Sequence, residues 1–172
     1  MRNRSLGTSV KHFTLFAILT CSAACASART VKPSDPGLED KGARLRPGEY
    51  IWRTKPHVIG PVLVVIRLSR QRALLYRNRV LIAVSTISTG GEGRRTPTGS
   101  FTVLQKEVVH RSKTYDDAPM PFMQRLTWKG VAMHAGHVSG HPASHGCIRL
   151  PRAFAQRLYE ITTLGTPVII TA

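Results

Sequence analysis

The chain has 172 residues and is 42% hydrophobic, enough for one packed domain and too apolar for a disordered one. Twenty-five Lys and Arg against nine Asp and Glu give a formal charge of +16. That excludes an acidic solvating chain and fits either anionic surroundings or simply a solvated basic surface.

Arg2, Arg4 and Lys11 precede the apolar stretch from Phe13 to Ala26, and Ala26-Ser27-Ala28 has the small-x-small pattern of a signal-peptidase site. Residues 1–28 therefore read as a cleaved export signal, because the apolar core is too short for a stable membrane span. An uncleaved anchor, or lipidation at Cys21 or Cys25, is the alternative. Cys21 and Cys25 leave with the signal, so Cys147 stands alone in the mature chain, an odd thiol in an exported protein. Three basic residues leave as well, so the charge falls from +16 to +13. The expected location is the periplasm or cell envelope. There the polyanions on offer are wall carboxylates and membrane headgroups, not nucleic acid.

Residues 29–61 are rich in Pro, Gly and charge, as in Lys32-Pro33-Ser34-Asp35-Pro36-Gly37, and predict a flexible linker ordered only near Trp52. The texture changes at Val62. Val62–Leu68 is a β-branched apolar run, Ala73–Tyr76 and Val80–Thr86 are two more strands joined by a hairpin at Arg77-Asn78-Arg79, and Phe101–Leu104 is a fourth. Between them, Gly90-Gly91-Glu92-Gly93 and Thr96-Pro97-Thr98-Gly99 mark turns. The glycines lack a following Gly-Lys-Ser/Thr, which excludes a phosphate-binding loop of that type. Gln105–Thr127 has no clear period and predicts a lid or an ordinary insertion. Trp128–His134 is a further strand candidate. After Cys147, Pro151 opens a helix whose Phe154, Leu158 and Ile161 share a face; Leu164-Gly165-Thr166-Pro167 ends it, and Val168–Ile170 is a last strand. Residues 62–172 thus predict one mainly-β domain, a β-sandwich or open barrel with one short helix after the cysteine.

The chemistry concentrates in Ser144-His145-Gly146-Cys147-Ile148-Arg149. A free thiol is only a few per cent ionised near neutral pH and needs a base or a cation beside it. His134, at the end of a strand thirteen residues upstream, is the preferred base, with His145 the alternative. Gly146 permits a turn that aims the amides of His145, Gly146 and Cys147 at one oxyanion. Arg149 offers a fork for a substrate carboxylate, or a surface ion pair. Two rival readings of the same residues stay open. One is a zinc site built from His134, His137, His141, His145 and Cys147, whose spacing matches no standard pattern. The other is an inert buried cysteine among loop histidines.

Ser144-His145-Gly146-Cys147-Ile148-Arg149, with Met133-His134-Ala135-Gly136 upstream and Thr96-Pro97-Thr98-Gly99-Ser100-Phe101 before both, resembles the L,D-transpeptidase (YkuD-type) catalytic domain over about Val62 to Ala172. The resemblance implies a β-sandwich and peptidoglycan stem peptides as partners; the sequence itself gives no sign of a cofactor, and no metal is expected. It implies that the Cys147 thiolate attacks the amide between the diamino acid and the terminal D-Ala of a tetrapeptide. D-Ala leaves, and the acyl group passes to a side-chain amine of another stem as a 3→3 cross-link. His134 would be the acid and base. His145, Gly146 and Cys147 would supply oxyanion amides. Ser144, bracing the loop, and Arg149 would stand on the substrate side. A hydrolase on the same acyl-enzyme, and a non-catalytic wall-binding module using the basic surface, are the competing functions.

Overall fold

The structure, a computed structural model, describes residues 36–53 and 58–172. Residues 1–28, read as an export signal, lie outside the described residues.

Two sheets carry the domain. The larger contains β1 (Tyr50–Trp52), β2 (Val62–Arg67), β3 (Arg72–Arg77), β4 (Val80–Thr86), β5 (Gly99–Thr102) and β10 (Pro167–Thr171), in the order β1-β4-β3-β2-β10-β5. The smaller contains β6 (Gln105–Glu107), β7 (Met123–Arg125), β8 (Ala132–Ala135) and β9 (Ile148–Leu150), in chain order. Each sheet has one parallel pair, β2 with β10 and β8 with β9; its other pairs are antiparallel. The fold is thus mostly β, as expected, with two short helices, α1 (Pro36–Ala43) and α2 (Arg152–Ile161).

The core draws Val64, Ile66, Leu75 and Ile82 from the larger sheet and Met133, Ile148 and Leu150 from the smaller. Phe154 and Leu158 of α2 pack into the same cluster. Burying each such side chain contributes about 1.5–3 kcal/mol. In β3 the alternate residues Leu74 and Tyr76 face the other way, into a second cluster with Leu38, Leu81 and Val84. Both faces of β3 and β4 are therefore covered, which explains why these strands read as continuous apolar runs rather than alternating ones.

The cover on that second face corrects the linker reading of 29–61 for residues 36–49, while β1 falls at the order expected near Trp52. Residues 36–52 hold α1 and β1, and β1 pairs with β4 through Tyr50–Ser85 to Trp52–Ala83. Leu38 is 4% exposed against β3 and β4. Arg72 of β3 reaches across to the C-terminal end of α1, where Nε donates to Gly42 O at 2.8 Å and Nη2 to Leu45 O at 3.0 Å. A cation there satisfies carbonyls that have no partner within the helix. Glu39 pairs with Arg67 of β2. Pro36-Gly37, read as linker chemistry, begins α1 instead, proline being tolerated in a first helical turn.

Candidate active site

The parallel pairing of β8 and β9 puts His134 beside Arg149 and Met133 beside Ile148. Side chains alternate along a strand. Met133 and Ile148 enter the core, so His134, Arg149 and the preceding Cys147 share the opposite face. A strand spacing of ~4.8 Å and two steps of ~3.3 Å put the Cα atoms of His134 and Cys147 about 8 Å apart, within joint reach of an imidazole and a thiol. All three residues line one cleft of about 1010 Å³, at the upper end of the roughly 300–1,000 Å³ usual for ligand sites.

His134 is buried, and its Nδ1 lies 2.9 Å from the carbonyl of Ala135. A carbonyl only accepts, so Nδ1 carries the proton and Nε2 keeps a lone pair. Burial pushes the imidazole below its ordinary 6.5, and the nearby charge of Arg149 pushes the same way, against the raising effect of the Ala135 bond. The ring is a neutral base at neutral pH. Cys147 is half-buried against Met120, Met123 and Ala132. Burial pushes its thiol above the ordinary 9.0, partly offset by the Ala132 amide and the charges of Arg149 and Arg125. Its hydrogen bond among the described residues runs to Gly130 O at 3.4 Å. The resting pair is thus a neutral thiol and a neutral imidazole, with the thiol turned toward the β7–β8 connection.

The loop before Cys147 is held by its own polar atoms. Ser144 Oγ donates to Cys147 O at 2.5 Å and accepts from Gly146 N at 3.1 Å. Its backbone is zipped to the opposite loop, Ser144 N to Thr89 O at 2.9 Å and Gly91 N to Ser144 O at 3.0 Å. Ser144 is buried, with its hydroxyl committed to this turn; that matches a brace better than a substrate contact. Gly146 sits at φ +113, a conformation that L side chains rarely adopt. Its amide, one of three expected oxyanion donors, is engaged by Ser144, which leaves those of His145 and Cys147 for that role. His145 is exposed and stacks on Tyr115, centroids 4.4 Å apart at 15°. His137 and His141 are exposed.

Several residues here escape sequence reasoning. Thr96 Oγ1 accepts from Gly90 N at 2.9 Å and donates to Gly146 O at 2.9 Å; its only signal was the Thr-Pro-x-Gly turn. Gln71, buried with φ +48, holds Thr89 by two hydrogen bonds, at 2.7 and 3.0 Å. The stretch after β6 is an arm: Phe122 N bonds Val108 O, Met120 N bonds His110 O, and Ser112 N bonds Ala118 O. The arm carries Tyr115 onto His145, and the Arg94 guanidinium lies 5.5 Å from the Tyr115 ring centre. The expectation of a lid over 105–127 thus meets an ordered hairpin extension of β6 and β7 that lines the cleft. Trp128, expected in a strand, is 75% exposed in the turn before β8.

The family model for the L,D-transpeptidase catalytic domain, YkuD, matches residues 61–170. The chain belongs to this family. The YkuD match spans β2 to β10 and includes the whole cleft face of β8 and β9. L,D-transpeptidase 1 of Mycobacterium tuberculosis is 30% identical over 60% of this chain and 48% of its own length, so the chain spans about half the length of that curated relative. Among solved structures, an L,D-transpeptidase from Mycobacterium tuberculosis superimposes with a TM-score of 0.61 at 27% identity, covering 64% of this chain and 57% of that one. L,D-transpeptidase 3 from the same organism, in complex with a faropenem-derived adduct, gives 0.60 at 26% identity over 65% and 60%. Among the described residues of this YkuD domain, no helix is long and apolar enough to cross a membrane.

Proposed function

We propose that this YkuD domain is a cysteine acyltransferase of the cell wall, exported and acting on peptidoglycan tetrapeptide stems. The observation that carries the reading is the shared face of β8 and β9. It sets Cys147, His134 with its Nε2 lone pair, and Arg149 along one side of a peptide-sized cleft.

His134 Nε2 takes the Cys147 proton once the thiol swings from the Gly130 carbonyl, a rotation about a single side-chain bond. The thiolate attacks the carbonyl that joins the diamino acid to the terminal D-Ala. The amides of His145 and Cys147 receive the oxyanion; such donors are worth ~3–4 kcal/mol each in comparable sites. His134 returns the proton to the leaving D-Ala amine, and a thioester remains. An amine of a second stem then takes the acyl group, giving a 3→3 cross-link. Arg149 stabilises the thiolate electrostatically, and its guanidinium offers a fork to a stem carboxylate. The solved relative with a faropenem-derived adduct supports the use of a β-lactam as probe.

The test is mass spectrometry of the purified protein after exposure to a penem or carbapenem, beside incubation with disaccharide-tetrapeptides. An adduct on Cys147 that is lost in Cys147→Ala, together with cross-linked dimers, is the expected result. Tripeptide without dimer would mean hydrolysis. Unchanged wall binding with no adduct would mean a non-catalytic module.

A further inference from the structure

The cleft is walled by cations, among them Arg111, Lys113, Arg125, Lys129 and Arg149, and Glu107 is the one carboxylate among its described lining residues. Glu107 is not a stray surface charge. It ends β6, where alternation sends Lys106 the other way, onto the carbonyls of Tyr159 and Thr162. Gln105 and Glu107 face the cleft, and Gln105 Nε2 donates to Glu107 Oε1 at 2.5 Å. Gln105 Oε1 in turn accepts from Arg125 Nε at 2.6 Å. Glu107 Oε2 lies 2.5 Å from His110 Nδ1. The His110 bond, with lesser help from Gln105 and Arg125, holds the Glu107 carboxyl below the usual carboxylate range, so it stays ionised.

His110 is fixed as well. Its carbonyl accepts from Met120 N at 2.8 Å in the arm ladder, and its side chain is only 13% exposed. A carboxylate on Nδ1 dictates the tautomer: Nδ1 carries the proton and Nε2 is the free acceptor. His134 has the same arrangement with a backbone carbonyl in place of the carboxylate. The two rings line one cleft.

One imidazole suffices to make the thioester. Amine transfer raises a second requirement, because an alkylamine acceptor arrives as an ammonium with a pKa near ~10.4 and cannot attack until it loses a proton. Arg111 is paired with Asp117; Lys113, Arg125, Lys129 and Arg149 repel that ammonium, and Glu107 alone among the described lining residues offers it a carboxylate.

We propose that Glu107 and His110 form the acceptor site: the carboxylate draws in the ammonium of the incoming stem and His110 Nε2 removes its proton. The assignment rests on the acyl-enzyme reading above. The ammonium gives one proton to His110, and the freed amine attacks the thioester carbonyl. The carbon–sulfur bond then breaks, and the second nitrogen proton passes through His134 to the departing Cys147 sulfur. The third stays on the new amide, and His110 releases its proton to solvent. His110 is the base for the acceptor. Glu107 binds the ammonium and orients His110.

The experiment uses the protein with disaccharide-tetrapeptides and reads the ratio of cross-linked dimer to tripeptide in Glu107→Gln, His110→Gln and Glu107→Asp. The first two lower the ratio about a hundredfold, the lower end of what general-base groups contribute, and Glu107→Asp recovers part of it. Hydroxylamine, uncharged at neutral pH, needs no base and still accepts the acyl group in both variants. A ratio within twofold of the parent in whichever of the two glutamine variants folds overturns the proposal, as does an equal loss with hydroxylamine. A β-lactam adduct on Cys147 of the parent separates the two layers. With the adduct present and the ratio unmoved, only the acceptor site falls; with no adduct on the parent protein, the acyl-enzyme reading falls and takes the acceptor site with it.

Discussion

Thr96 and Gly146 lie fifty residues apart in the chain and are joined by a buried 2.9 Å hydrogen bond from the threonine hydroxyl to the glycine carbonyl. The same oxygen accepts from Gly90 N, so one side chain ties the loop after β4 to the turn before Cys147. The two backbones approach so closely that a Cβ on Gly90 would sit 2.9 Å from the Gly146 Cα and 2.0 Å from Arg94 O. The orientation of the thiol is therefore set in part by a residue outside the Ser-His-Gly-Cys segment.

Thr96→Val keeps the shape and removes both bonds. It leaves a buried N–H and a buried carbonyl short of a partner, at a cost of about 1–3 kcal/mol for each group. The expected outcome is a lower denaturant midpoint with unchanged m-value, and slower β-lactam acylation of Cys147. Thr96→Ser restores most of both. Acylation at the parent rate in Thr96→Val would dissociate this brace from the thiol.

The pH dependence follows from the two displaced groups. The His134 pKa is lowered in the fold, so below its unfolded value near 6.5 the unfolded chain binds the extra proton and stability falls with falling pH. The Cys147 pKa is raised, so above its unfolded value near 9.0 the unfolded chain loses its proton first and stability falls with rising pH. Chemical denaturation across this range should show a plateau between the two, and His134→Gln should flatten the acid side. Iodoacetamide alkylation of Cys147, followed by mass, should titrate above the ordinary thiol value.

Arg149 lowers both pKa values, by repelling a protonated His134 and by attracting the Cys147 thiolate. Arg149→Gln should move both groups upward: alkylation of Cys147 shifts to higher pH, and the His134 ring proton, followed by NMR, titrates at higher pH. Movement in opposite directions, or none, would mean that the guanidinium acts only as a substrate contact.

What could be read from the sequence divides along physical lines. β2, β3, β4, β10 and α2 announce themselves through apolar composition, because β3 and β4 are covered on both faces, β2 and β10 send alternate residues into the core, and a helix against a core shows its face. Cys147, His134 and Arg149 were legible because a rare thiol with a nearby imidazole is conspicuous. β6 is Gln105-Lys106-Glu107, all partly buried and all polar, so no hydrophobic alternation marks it. The Glu107–His110 pair sits in that same unpatterned stretch. α1 hides behind Pro36-Gly37, since a helix start and a linker share that composition. Thr96 and Gln71 each act through two hydrogen bonds to other loops, Thr96 to Gly90 and Gly146 and Gln71 to Thr89, and no local pattern records such partners.

Arg72 provides the test of α1 as part of the domain. Its guanidinium reaches the carbonyls of Gly42, Ala43 and Leu45 at 2.8–3.2 Å, a fork that one ammonium cannot reproduce. Arg72→Met keeps the apolar stem and leaves those helix-end carbonyls to water. Limited proteolysis should then cut faster within residues 36–52, and the melting temperature should fall by several degrees, as about 1–2 kcal/mol of loss implies for a domain of this size. Arg72→Lys should fall between the two. The cleft lies on the smaller sheet, away from α1, so the second-order rate of Cys147 acylation at 25 °C should change less than twofold; a larger loss would mean that α1 supports the site as well as the fold.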